Sequence, residues 1–80
     1  MTVGKAISKR IDEYLYARQM SLYALAKRAG LPIATLQNLY RGHTKSPTLS
    51  VVYKICEGLE TPIAEFLDSP LFDTNVLELD

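Results

Sequence analysis

Eighty residues, 48% of them apolar, supply one hydrophobic core and leave no room for a second. Net charge is zero, no stretch approaches the roughly 20 apolar residues of a membrane helix, and the first residues lack the apolar run of a signal peptide, so a cytoplasmic protein is expected. Cys56 is the one cysteine, which excludes a disulfide framework and a thiolate zinc cage; with Val52, Ile55 and Leu59 at helical spacing around it, it reads as a packed core thiol.

Along the chain the pattern predicts helices. From Val3 to Gln19, Ile7, Ile11, Tyr14 and Leu15 fall on one helix face. Ser21 is a good N-cap for a second helix, Leu22 to Ala29, whose inner face is Leu22, Leu25, Ala26 and Ala29 while Lys27 and Arg28 point outward. Gly30 directly follows, as expected of a left-handed residue ending a helix. The third helix runs from Pro32, preset at its first position, to Arg41, and Gly42 ends it. Thr48 caps a fourth helix reaching about Gly58 or Leu59, with Val51, Val52, Ile55 and Cys56 inside. A short fifth helix begins at Thr61-Pro62 and packs Ile63, Phe66 and Leu67 inward. Ser69-Pro70 stops it, and LFDTNVLELD follows without a clear period, its Val76 to Leu79 stretch suited to an edge strand in a dimer. The expected fold is all-α: a compact five-helix domain over residues 1–68 with a short acidic-apolar tail over 69–80.

The zero net charge conceals a gradient. All nine Lys and Arg lie between Lys5 and Lys54, against only Asp12 and Glu13, and the other seven acids follow from Glu57 to Asp80. Such asymmetry suggests a basic working body and an acidic tail, although chance clustering of solvated charges gives the same count. The third helix sharpens the point. Wound at about 100° per residue, Leu36 and Leu39 fall inward, flanked by Ile33 and Tyr40, while Ala34, Gln37, Asn38 and Arg41 fall outward. A solvated face ordinarily carries Glu and Lys; this one carries two amides, a small residue and a guanidinium.

Two helices meeting at a glycine-centred turn, the second exposing amides, form a helix-turn-helix. In the DNA major groove Asn38 and Gln37 are suited to adenine N6 and N7, and Ile33, Ala34 and Thr35 to a thymine methyl. Arg41, His43, Thr44 and Lys45 follow at the helix end, suited to phosphates. The plainer reading is two helices of a small bundle with solvated amides and an ordinary basic loop.

The run SLYALAKRAGLPIATLQNLYRGHTKSPTLSVVYKICEGLETPIAEFL from Ser21 is similar to the phage-repressor-like (Cro/XRE) helix-turn-helix family. The resemblance is carried by Leu25-Ala26, Gly30, Leu36 and Leu39, Arg41-Gly42, Pro47-Thr48-Leu49, and the Ile55, Leu59, Phe66-Leu67 pattern; with the first helix it covers about four-fifths of the chain. It implies a lambda-repressor-like fold and a transcriptional regulator that binds a double-stranded DNA operator as a homodimer. It also implies base contacts from Ile33, Ala34, Thr35, Gln37 and Asn38, and phosphate contacts from Leu22, Arg41, His43, Thr44 and Lys45. Three departures stand out. Leu22 occupies the position where the family often has a phosphate-binding Gln, so that clamp is absent or replaced by backbone N–H groups. Pro32 stands where the family often has a Ser or Thr cap. Tyr40 and Leu15 stand where it often has a Glu and an Arg, which implies that an apolar contact has replaced an ion pair.

Other chemistry is sparse. His43 is the single histidine and has no nucleophile at a recognisable spacing, so no catalysis is expected; no glycine-rich phosphate loop, cofactor or metal site is expected either. The five tyrosines, Tyr14, Tyr16, Tyr23, Tyr40 and Tyr53, read as core-edge aromatics rather than a stacking platform for single strands. The alternative from another class is a protein-interaction module, an antitoxin or antirepressor-type adaptor. Its support is the apolar tail: Leu71, Phe72, Val76, Leu77 and Leu79.

Overall fold

The computed structural model describes residues 1–78. Five helices follow in order, α1 (Val3–Arg18), α2 (Leu22–Ala29), α3 (Ile33–Tyr40), α4 (Leu49–Gly58) and α5 (Ile63–Leu67), then a 3₁₀ turn at Pro70–Phe72. Three of the helices start on a hydroxyl cap. Thr2 accepts from the Lys5 N–H, Ser21 from the Ala24 N–H and Thr48 from the Val51 N–H, each satisfying a donor that the first turn leaves open. Pro32 lies one position earlier than the sequence suggests. It is the N-cap of α3, with ψ at 142° and no side-chain bond. A proline's fixed φ suits that extended position as well as it suits a first helical residue.

Four of the five helix ends share one device. After α2, Gly30 takes φ +68°, its N–H donates to the Lys27 carbonyl, and the Leu31 N–H donates to the Ala26 carbonyl. After α3, Gly42 takes φ +78° with the matching pair, Gly42 to Leu39 and His43 to Asn38. These are Schellman closures, which satisfy the last carbonyls of a helix and turn the chain sharply. The same closure follows α1 and α4, but there the left-handed residues are Gln19 (φ 51°) and Glu60 (φ 53°), whose side chains make that conformation costly.

All five helices contribute to one core, in which Phe66, Ile7, Ile11, Leu25, Leu36, Leu39, Ile55, Leu59 and Cys56 are fully buried. Val51 and Ile63 pack on its edge, half-buried. Leu67, expected inside, is on the surface, because Phe66 alone fills the inward position of the short α5. An aromatic and cationic stack braces the α1–α5 side. Tyr14 stacks on Phe66 with ring centroids 5.7 Å apart, and the guanidinium carbons of Arg10 and Arg18 lie 5.0 and 5.1 Å from the Tyr14 ring. Arg10 also donates to the Phe66 carbonyl at 2.7 Å and to the Glu65 carbonyl at 3.0 Å, capping the C-terminal end of α5; Arg18 donates to the Leu59 carbonyl and to Thr61 Oγ1. Two of the nine bases are therefore committed to the fold.

The tail turns back on its own chain. Phe72 packs against Phe66 with centroids 6.3 Å apart, the Met1 amine donates to the Val76 carbonyl, and the Glu78 N–H donates to the Met1 carbonyl, making an isolated parallel bridge between Thr2 and Glu78. Part of the stretch expected as a dimer edge strand is thus paired within the molecule; Leu79 lies outside the described residues. Among the described residues no helix is long and apolar enough to cross a membrane.

Candidate nucleic-acid interface

The site is built on α2, the Gly30 turn and α3. Leu36 and Leu39 are fully buried and fix the rotation of α3, so Ala34, Gln37, Asn38 and Arg41 share its opposite face. Ala34 and Arg41 are exposed; Gln37 and Asn38 are half-buried. Thr35 is half-buried beside them, and Ile33 is half-buried against the core, leaving only its edge toward the solvent side. The face carries no acid.

The loop that follows is held at both ends. The Asn38 carbonyl accepts from the His43 N–H at 2.9 Å and the Thr44 N–H at 3.2 Å. From the other side, the Gly4 N–H donates to the Lys45 carbonyl at 2.7 Å, an approach so close that a Cβ on Gly4 would lie 2.0 Å from the Thr44 carbonyl oxygen. Only glycine allows α1 to seat its first turn on this loop. Lys5 Nζ donates to the Tyr40 carbonyl at 3.1 Å, placing a cation at the C-terminal end of α3. Arg41, His43 and Lys45 remain exposed on the loop, and Thr44 is half-buried.

The side chain of Leu22, which the resemblance implies as a phosphate position, is half-buried at the start of α2 and packs against the core. Tyr40 is expected in an apolar contact. Tyr40 and Leu15 do pack against the core, and the Tyr40 hydroxyl in addition donates to Asp12 Oδ1 at 2.6 Å; burial, reinforced by that carboxylate, raises the phenol pKa above its ordinary value. The tyrosines also divide. Tyr16, Tyr23 and Tyr53 are exposed, because helical rotation opposes each to a buried stripe, while Tyr14 and Tyr40 are half-buried. Sequence reasoning misses Tyr23: Gln37 Nε2 lies 3.5 Å from its hydroxyl, across the helix-turn-helix. The signal is present in the i,i+4 pairing of Tyr23 with Lys27, outside the Leu22, Leu25, Ala26 and Ala29 stripe. Lys5 and Asp12 carry no such signal, since their partners lie on α3.

The chain matches the Cro/C1-type helix-turn-helix DNA-binding domain over residues 10–70. It is 36% identical over 63 residues to an uncharacterized HTH-type transcriptional regulator, YozG, of Bacillus subtilis (strain 168), covering 79% of this chain and 75% of that protein. Among solved structures, it superposes on an HTH_3 family transcriptional regulator from Vibrio cholerae with a TM-score of 0.73 and 29% identity, covering 85% of this chain but only 38% of that one. The wild-type restriction-modification controller protein C.Esp1396I gives a TM-score of 0.73 at 19% identity over 96% of this chain and 95% of that one, a likeness of fold.

Proposed function

The chain belongs to the Cro/C1-type helix-turn-helix DNA-binding domain family and is a DNA-binding transcriptional regulator, and we propose that it docks α3 in the major groove of a specific operator. The observation that carries this reading is the acid-free strip of Ala34, Gln37, Asn38 and Arg41, held outward by the buried Leu36 and Leu39. Asn38 and Gln37 read base edges, with Ala34, Thr35 and the edge of Ile33 against thymine methyls. Arg41, His43, Thr44 and Lys45 hold the neighbouring phosphates, and the first backbone N–H groups of α2 add a helix-terminus contact in place of a Leu22 side chain. The protein needs no cofactor for this and acts in the cytoplasm, without an enzymatic step.

One domain has few base-reading side chains, so we read the working species as a homodimer whose recognition helices sit about 34 Å apart, one turn of DNA. Phe66 is fully buried in its own core and cannot serve the pairing; Leu67 and Val76 remain on the surface for it. Selection of sites from a random oligonucleotide pool, with the salt dependence of binding, tests the docking. A two-fold symmetric consensus with a steep salt slope is expected, and binding without sequence preference would refute it. Sedimentation at micromolar concentration tests the pairing, and a strict monomer both free and on DNA refutes it. The adaptor reading loses ground with the tail, since Phe72 packs on Phe66 and is not presented to a partner.

A further inference from the structure

We propose that Tyr23 is a positioning residue for the base-reading amide of Gln37 and that its hydroxyl bridges this amide to a DNA phosphate; the inference rests on the docking of α3 proposed above. Tyr23 lies at the second position of α2, and 66% of its surface is exposed, an unusual use of a large aromatic ring on a small domain. The ring extends toward α3, where Gln37 Nε2 meets its hydroxyl at 3.5 Å, the long limit of a hydrogen bond. At that length the contact contributes little to the free fold. Its consequence is orientation, because a glutamine has three rotatable bonds to freeze before it can read a base.

The donor and acceptor inventory closes in one arrangement. One Nε2 hydrogen of Gln37 goes to the phenol oxygen, leaving the other Nε2 hydrogen and Oε1 for the N7 and N6 edge of an adenine. The phenol keeps its own hydrogen, which has no acceptor on Gln37 while the amide nitrogen faces it. A phosphate oxygen flanking the groove supplies that acceptor as a charge-assisted bond. The surroundings favour an anion there. Lys27 lies one turn further along the same face of α2, and α2 carries no acid to repel a phosphate.

Tyr23→Phe keeps the ring and removes only the hydroxyl, and with the side chain largely outside the core its melting curve should match the wild type. Affinity for the selected operator should fall about tenfold, the worth of one charge-assisted hydrogen bond. Discrimination at the base pair read by Gln37 should fall with it, towards the level of Gln37→Ala. In a Gln37→Ala background, Tyr23→Phe should instead weaken all sequences alike, because only the phosphate bond is left to lose. Wild-type affinity and discrimination in Tyr23→Phe overturn the proposal. An equal loss on every sequence in the otherwise wild-type protein also overturns the positioning role. If Gln37→Ala alone changes neither affinity nor consensus, the base-reading assignment of Gln37 is what fails, and the role of Tyr23 as its positioner falls with it.

Discussion

Tyr40 donates its phenolic hydrogen to Asp12 Oδ1 at 2.6 Å, tying the last turn of α3 to the middle of α1. Burial, then the Asp12 carboxylate, hold the phenol pKa above its ordinary value, so the donor stays protonated at every pH where the domain works. Removing the hydroxyl in Tyr40→Phe leaves an exposed carboxylate that water can satisfy, so the loss is modest: about 1 kcal/mol, or a fall of roughly 4–8 °C in Tm for a domain of this size. A calorimetric scan decides it, and a Tm equal to wild type would show that the tie adds nothing to the fold.

That tie also marks a limit of reading the sequence. Helix starts at Ser21 and Thr48 and helix ends at Gly30 and Gly42 are legible, because each rests on local chemistry between residues within one turn. The outward strip of α3 is legible for the same reason: two buried leucines three residues apart fix its rotation. The bonds of Tyr40 to Asp12, Lys5 to Tyr40, Arg10 to the end of α5 and Met1 to Val76 are not. Each joins groups 28 or more residues apart, and helical periodicity says nothing about which helices meet. The left-handed ends at Gln19 and Glu60 are hidden too, since neither residue advertises a positive φ as glycine does.

Those two ends suggest a stabilising change. Glu60 is exposed at φ 53°, and its closure is otherwise complete, with the Thr61 N–H on the Cys56 carbonyl at 3.0 Å. Glu60→Gly relieves a left-handed strain of about 1–2 kcal/mol and gives part of it back as unfolded-chain entropy. A net gain of roughly 0.5–1 kcal/mol, seen as a Tm a few degrees higher, is expected. Should the variant melt lower than wild type, the Glu60 side chain must supply something the closure does not explain.

Gly4 and Gly30 should fail differently. An alanine at Gly4 puts its Cβ 2.0 Å from the Thr44 carbonyl oxygen, a backbone atom, so either α1 or the loop must move. Gly4→Ala should cost about 1–3 kcal/mol by overpacking and weaken DNA binding more than the folded fraction accounts for, because the loop carries His43 and Lys45. Gly30 sits at φ +68° with open space where a Cβ would lie, so the cost of Gly30→Val starts from backbone strain, about 1–2 kcal/mol. Affinity measured under conditions where both variants are fully folded separates them. Equal affinity in Gly4→Ala and wild type removes the loop from the interface.

Cys56 gives a pH dependence. Its thiol is buried, and burial raises its pKa from 9.0 to about 11. The unfolded chain therefore ionises this thiol before the folded one does. Stability from the neutral buried thiol is complete below about pH 9 and is lost as pH rises towards 11. Tm measured from pH 8 to 11 should decline, and less so in Cys56→Ala after its own cavity cost is subtracted as a pH-independent offset. Iodoacetamide should label Cys56 slowly at pH 8 in the folded protein and rapidly in denaturant. Rapid labelling of the folded domain would contradict its burial.

The reading face makes the most direct prediction. Asn38 uses its backbone carbonyl to hold the His43 and Thr44 N–H groups, and alanine keeps that carbonyl, so Asn38→Ala tests the side-chain amide alone. It should cost about 1–3 kcal/mol on the selected operator and relax preference mainly at one base pair. Arg41, exposed just beyond the helix, should behave otherwise. Arg41→Ala should weaken every sequence to a similar degree and lower the slope of log affinity against log salt by about one unit, as expected when one phosphate is no longer neutralised by a side chain. The two signatures cannot be exchanged, because a base edge carries sequence information and a phosphate does not. If Asn38→Ala instead weakened all sequences alike while Arg41→Ala changed the consensus, α3 would enter the groove by its C-terminal end, and the assignment of base readers and phosphate-binding residues would have to be reversed.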